Sequence, residues 1–313
     1  MLAYTIRRVL AAIPVMGVVA LFVFLLLRLT PGDPAAIIAG DMATPAQLEA
    51  IRTSLGLNQP VAIQFITWIG QLLQGDLGTS LISKTPVTTL IHQRLAPTLS
   101  LALVTMALSI VIAVPMGVLA AWKHGTWIDN LVMAFSVLGF SVPVFVIGYV
   151  LIQVFAIELR WFPVQGFTPI EKGLGPFLQR ATLPAFTLAS IYIALIARMT
   201  RASLLEVLDE DYIRTARAKG VGEQLVLFRH ALRNAAVPIL TVIGTGFALL
   251  ISGVVVTESV FNIPGLGRLI VDAVLARDYP VIQGLILLTS GIYVFVNLLV
   301  DLSYSLLDPR IRY

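Results

Sequence analysis

In this chain of 313 residues, 58% are hydrophobic, only 12% are charged, and the net charge is +4. Soluble domains carry about a quarter charged residues, so the composition selects a membrane protein with several spans. There is no cysteine, which excludes a disulfide framework, a thiolate nucleophile and a cysteine-held metal; the small net charge gives no basis for nucleic-acid binding.

A helix that crosses the bilayer needs about 20 mostly apolar residues, and six segments qualify. The first is 9–29. Its apolar run is too long for a secretory h-region and no small-residue cleavage site follows, so it is expected to remain as a span. "RLTPGDPAAIIAGD" then leaves the helix through proline and glycine. Within 30–97, "TPAQLEAIRTSLGL" opens with Thr44 as N-cap and Pro45 at the first helical position. Leu48, Ile51 and Leu55 form an apolar stripe, and Gly56 ends it. "VAIQFITWIGQLLQGDLG" repeats the scheme with Phe65, Ile66, Ile69, Leu72 and Leu73. Two short helices are expected on the outer membrane face, either capping the spans or receiving substrate.

The other spans are expected at 99–121, 130–157, 183–200, 237–257 and 281–307. Pro115, Pro143, Pro184 and Pro238 fall within them or at their ends. A proline in a membrane helix frees a carbonyl that neighbouring helices or water must satisfy, which suits a bundle around a cavity. Arg7, Arg8, Lys123, the basic residues from Arg198 to Arg233, Arg310 and Arg312 all fall on one side of an even-span topology. The positive-inside bias makes that side cytoplasmic. Both termini and 201–236 are therefore expected inside, and the loop 30–97 outside. With no long linker and no internal repeat, 1–313 reads as one polytopic all-α domain.

Enzymatic signatures are missing: there is no G-x-x-x-x-G-K-[ST] loop, no HExxH and no G-x-S-x-G elbow. His92, His124 and His230 are far apart and near loops, as interfacial side chains rather than metal ligands. "IPGLGRL" follows no strand and reads as a bend on the outer face. Asp301, within the sixth span, reads as a helix–helix hydrogen bond. Glu258 follows "VVVT" at the outer end of the fifth and stays open between an interfacial role and a water-filled path. Ser136, Gly139, Ser141 and Pro143 in the third span, with Ser252, Gly253 and Glu258 in the fifth, are candidates for lining a translocation path; the alternative for each small residue is helix packing.

Composition does not explain "DYIRTARAKGVGEQ". Asp209, Glu210 and Asp211 favour a helix N-terminus, with Asp211 as N-cap, and 212–219 gives about two helical turns. Tyr212, Thr215, Ala216 and Lys219 share a face, and Gly220 supplies a left-handed C-cap. Beyond Gly222, Leu225, Val226, Phe228 and Leu232 are expected to pack a second helical run against the bundle. The small residues, Ala216 and Gly220 above all, would let a partner approach the backbone closely, so the segment Asp211, Tyr212, Arg214, Thr215, Ala216, Arg217, Ala218, Lys219, Gly220 reads as a docking helix. A solvated loop that only carries positive-inside charge is the alternative.

"EDYIRTARAKGVGEQLVLFRHALRNAAVPIL" resembles the cytoplasmic EAA loop of ABC-importer permeases of the dipeptide/oligopeptide/nickel group. "IRRVLAAIPVMGVVALFVFLLLRLTPGDPA", "FSVPVFVIGYVL", "TESVFNIPGLGRL" and "DLSYSLLDPRIRY" resemble the B-type permease of those systems over nearly the whole chain. Aligned on Gly220, Arg214, Thr215 and Ala216 take the E-A-A positions, and the glutamate of the general pattern is absent. The resemblance implies a type I importer permease fold with six transmembrane helices and a helical extracytoplasmic loop, in the bacterial inner membrane. It implies four kinds of partner: a second homologous permease, two ABC ATPase subunits, an extracytoplasmic substrate-binding protein and membrane lipid. ATP and magnesium would be bound by the ATPases, and this chain would catalyse no covalent step. An ion-coupled secondary transporter is the other class considered, with thin candidates for a coupling-ion site.

Overall fold

The computed structural model describes residues 2–29, 35–36, 44–54 and 56–307, with side chains except at 2–4, 27–29, 51, 54, 252, 253 and 305–307. Most of the exit after residue 29, Leu55, Arg310 and Arg312 lie outside the described residues, as do the side chains of Ile51 and Ser252 and the surroundings of Gly253. Among the described residues the regular structure is helical, with one isolated bridge between Thr79 and Pro86.

Local chemistry sets the short helices. α1 (Leu2–Leu29) carries Pro14 without a break. α2 (Pro45–Ser54) starts from a reciprocal pair: the Gln47 amide donates to Thr44 Oγ1 at 3.3 Å and the Thr44 amide donates to Gln47 Oε1 at 2.9 Å. This capping box satisfies amides that a helix start leaves without partners. Gly56 (φ +66) closes the segment, and the Leu57 amide returns to Arg52 O at 2.9 Å. α3 is Val61–Leu73.

The long helices are α4 (Val87–Trp122), α7 (Leu174–Leu208), α9 (Leu232–Gly253) and α12 (Tyr279–Leu307). Pro97 and Pro115 in α4, Pro184 in α7 and Pro238 in α9 are carried inside continuous helix. α9 is entered through a helical turn, Glu223–Leu225, and a π-helical turn, Val226–Ala231. At 36 and 35 residues, α4 and α7 reach about 50 Å, against about 30 Å of hydrocarbon.

α1, α4, α7, α9 and α12 give five helices long and apolar enough to cross a membrane. The third expected span differs from a continuous helix. It consists of α5 (Trp127–Ser141) and α6 (Val144–Glu158), bent by 101° at their junction, and counting the pair as one broken span brings the total to six. Pro143 causes the break. It offers no amide to continue the helix and pushes the preceding residue into extended backbone, where Val142 sits at φ −91, ψ 125. α10 (Val255–Val260) and α11 (Leu266–Leu275) follow α9. The short helix α8 (Asp211–Ala218) lies between α7 and α9.

The chain resolves into two compact units. The first comprises Met1–Arg8, Ala96–Arg268 and Tyr293–Tyr313. Within it α5, α6 and α9 pack on α7. Gly139 makes the α5–α7 approach possible, because a Cβ there would stand 2.9 Å from Ser190 O. Arg8 and Asp301 pair at 3.1 Å, so Asp301 has an ion-pair partner on α1. The second unit comprises Val9–Leu95 and Leu269–Ile292. There Phe65 and Trp68 of α3 pack against Phe24 of α1, edge-on and tilted, with centroids 5.0 and 5.6 Å away. Ile66 and Leu73, from the expected stripe, are exposed. Asp278 is buried and accepts hydrogen bonds from the Ser80 hydroxyl and, at 3.0 Å, the Leu81 amide.

Candidate functional site

The helix expected in "DYIRTARAKGVGEQ" is α8, one residue earlier than its spacing suggests. Glu210, extended at φ −70, ψ 145, holds the N-cap position, and Asp211 is the first helical residue. The Asp211 carboxylate is in the helix and faces Arg214 Nη1 at 3.3 Å; it still lies in the first turn, where negative charge complements the dipole. At the other end Lys219 is the C-cap and Gly220 takes φ +79. The Gly220 amide donates to Arg217 O at 2.9 Å, and the Val221 amide donates to Ala216 O at 3.2 Å. These two bonds make a Schellman motif, which satisfies carbonyls the helix end leaves open and requires a left-handed residue at the glycine.

One face of α8 is committed to the chain itself. Ile213 is fully buried in an apolar cluster with Val118 and Ala121 of α4, Leu204 of α7, Val226 and Ala231 of the π turn, and Ala235 and Ile239 of α9. Ala216 and Val221 pack against the same cluster. Ala216 is therefore turned inward, not toward a partner as its small size suggested; it lies one turn beyond Ile213, on the face that must be small to sit on the cluster. The face left open carries Asp211, Tyr212, Arg214, Thr215, Arg217, Ala218, Lys219 and Gly220, all exposed. Arg217 is held by Glu223, with Nη2 2.7 Å from Oε1, and this hydrogen bond raises the guanidinium above its ordinary value. After Gly222, Val226 and Leu227 turn inward, whereas Leu225 and Phe228, expected to pack on the bundle, are exposed. The π-helical turn changes the angular spacing per residue, which shifts the inward face.

A second group of side chains stands beside this cluster and was not singled out by sequence reasoning. Asp129, in the first turn of α5, is 2% exposed. Its Oδ1 accepts from Arg201 Nε at 2.5 Å, and its Oδ2 accepts from Arg201 Nη2 at 2.7 Å and from the Gly125 amide at 3.1 Å. His124 Nδ1 is 3.0 Å from both Asp129 Oδ2 and Arg201 Nη2. The only signal available was an acid at the head of an apolar run and an arginine within the next long helix.

The path candidates separate. Ser136 is buried and donates to Val132 O at 2.9 Å within its own helix, and Gly139 faces α7. Ser141 and Pro143 are exposed at the bend between α5 and α6. Glu258 on α10 is fully buried. Its Oε1 accepts from the Thr98 hydroxyl at 2.6 Å and its Oε2 from the Arg268 amide at 2.9 Å, while Thr98 Oγ1 accepts from the Leu266 amide at 2.8 Å. The carboxylate thus sits at the N-terminus of α11, where helix amides and dipole favour an anion. Gly265 makes room for it, since a Cβ there would overlap the carboxylate. Among the described residues no three metal-ligating side chains converge.

Five of the described helices, or six with the bent pair, are long and apolar enough to cross a membrane. A family described as "Binding-protein-dependent transport system inner membrane component" matches residues 113–313, and its N-terminal counterpart matches 1–102. The chain belongs to this family and is the membrane-spanning pore subunit of an ABC importer, a multi-pass inner-membrane protein. It is 56% identical over 99% of both chains to a probable peptide ABC transporter permease of Sinorhizobium fredii. It is 45% identical, over the full length of both, to a glutathione transport system permease of Escherichia coli. In structure it resembles a chain of the MetNI methionine ABC transporter, with a TM-score of 0.59, 18% identity, and coverage of 71% of this chain and 97% of that one, which shows the shared fold.

Proposed function

We propose that this permease carries peptides or closely related solutes into the cytoplasm, and that α8 is the element through which an ATPase subunit drives it. The substrate class rests on the relatives: one is named for peptides and another for glutathione, itself a tripeptide. In this reading an extracytoplasmic binding protein delivers the solute, and a second permease completes the pore. Two ATPases bind ATP and magnesium and perform the hydrolysis, while this chain makes and breaks no covalent bond. Both termini and 201–236 face the cytoplasm, and 30–97 faces outside, following the distribution of lysine and arginine.

The observation that carries the coupling reading is the two-faced character of α8. Ile213 anchors one face in the cluster, while Tyr212, Thr215, Ala218 and Lys219 stay exposed on the other. A helix fixed at its base and closed by a Schellman motif keeps its orientation when pushed. A loop serving only as a carrier of positive charge needs neither device. Thr215 and Ala218 take the close-approach role on the exposed side, and Gly220 extends it. Ser141, Pro143, Ser252 and Gly253 are retained as candidates for the path. Gly139 and Ser136 read as packing residues, and Glu258 as a structural brace.

Reconstitution tests the reading. The two permeases, the ATPases and the loaded binding protein in liposomes should take up a labelled peptide only when ATP and the binding protein are both present. Uptake driven by an ion gradient without ATP would contradict it.

A further inference from the structure

We infer that Asp129, Arg201 and His124 form a clamp that makes the coupling helix move as one body with the ends of α4, α5 and α7, so that Asp129 and Arg201 are positioning residues for transport. The inference rests on the reading of α8 as the coupling helix and concerns what happens behind it.

α8 is joined to α7 only through Asp209 and Glu210. A short connection of that kind can flex, and a push on α8 would then be lost in the connection. Two sets of contacts oppose this, one that touches α8 itself and one that holds together the helix ends on which α8 rests. The first is apolar: Ile213 of α8 and Leu204 of α7 share the cluster with Val118 and Ala121 of α4. The second is the clamp. Arg201 and Leu204 are three residues apart on α7, hence on one face. The chain segment from Ala121 to Asp129 is thus held on α7 at both of its ends, by Leu204 in the cluster and by Arg201 in the clamp.

The chemistry of the clamp suits a rigid joint. The guanidinium is planar and presents two parallel donors to the carboxylate, an arrangement that fixes angle as well as distance. Asp129 has both oxygens occupied, and the Gly125 amide and His124 complete its surroundings. A buried ion pair adds little net stability compared with an apolar replacement. Orientation, not stability, is what this arrangement supplies here.

The test uses the complete importer in liposomes, measuring substrate carried per ATP hydrolysed together with cross-linking from Ala218→Cys to cysteines around the ATPase groove. In Asp129→Asn and in Arg201→Lys the cross-link should persist at the level of the parent chain. Substrate carried per ATP should fall about fivefold or more, the size of a typical coupling between sites. The double variant Asp129→Asn with Arg201→Gln leaves no uncompensated charge; it should assemble and remain uncoupled. An unchanged ratio in the assembled single variants overturns the inference, and so does full recovery in the neutral double variant. Failure of all three to assemble would assign the pair to folding and overturn it as well. If the parent chain itself gives no cross-link, the docking reading fails, which is a separate result.

Discussion

Gly220 is open to solvent, and an added Cβ would meet nothing within 4 Å. Within this chain its φ of +79 is what calls for glycine. Gly220→Val should cost about 1–2 kcal/mol of backbone strain, enough to disorder the end of α8 without unfolding the bundle. The variant should reach the membrane at normal levels and lose binding-protein-stimulated ATPase activity; retention of that stimulation would count against a coupling role. Glu258 is the opposite case, a fully buried side chain. Glu258→Ala takes away the carboxylate to which the buried Thr98 hydroxyl and the half-buried Arg268 amide donate, at a cost of about 1–3 kcal/mol. Thermal unfolding in detergent should shift downward, and an unshifted midpoint would show that the brace is dispensable. Gly220 was legible in the sequence because a helix cap is local chemistry. The partners of Glu258 were not, because Thr98 is 160 residues away.

At the scale of elements, the N-cap Thr44 of α2 and the stop at Gly56 could be read directly, as both are local in sequence, whereas the returning bond from Gln47 was not singled out. Pro143 was legible as a perturbation but not as a 101° bend, since apolar length reports that a segment can cross a membrane, not in which direction it runs. The inward face of α8 was misjudged for a related reason. Alanine is compatible with an interface or with a cluster beneath, and only Ile213, fully buried, marks which side is down. The contact of α5 with α7 makes a further prediction. Gly139→Leu must push the two helices apart, and overpacking of this kind costs about 1–3 kcal/mol. Transport and thermal stability should fall together. Loss of transport with unaltered stability would instead return Gly139 to the path.

For the whole molecule, composition alone placed the chain in a membrane, and the family match covers the rest of the architecture. Its sidedness is testable because the chain has no cysteine. In intact cells Gln74→Cys should react with an impermeant thiol reagent and Lys219→Cys should not; the reverse pattern would invert the topology. The Asp129–Arg201 pair joins residues 72 apart, a relation that no spacing rule in a single sequence reports. If α8 receives the motion of an ATP-hydrolysing subunit, disulfide cross-linking in the assembled importer reports it. Ala218→Cys, on the exposed side of α8, should cross-link to cysteines lining the ATPase groove, with a yield that changes between nucleotide-free and ATP-bound states. If Ala218→Cys never cross-links while cysteines in the turn from Lys123 to Thr126 do, the ATPase docks elsewhere and α8 is not the coupling helix.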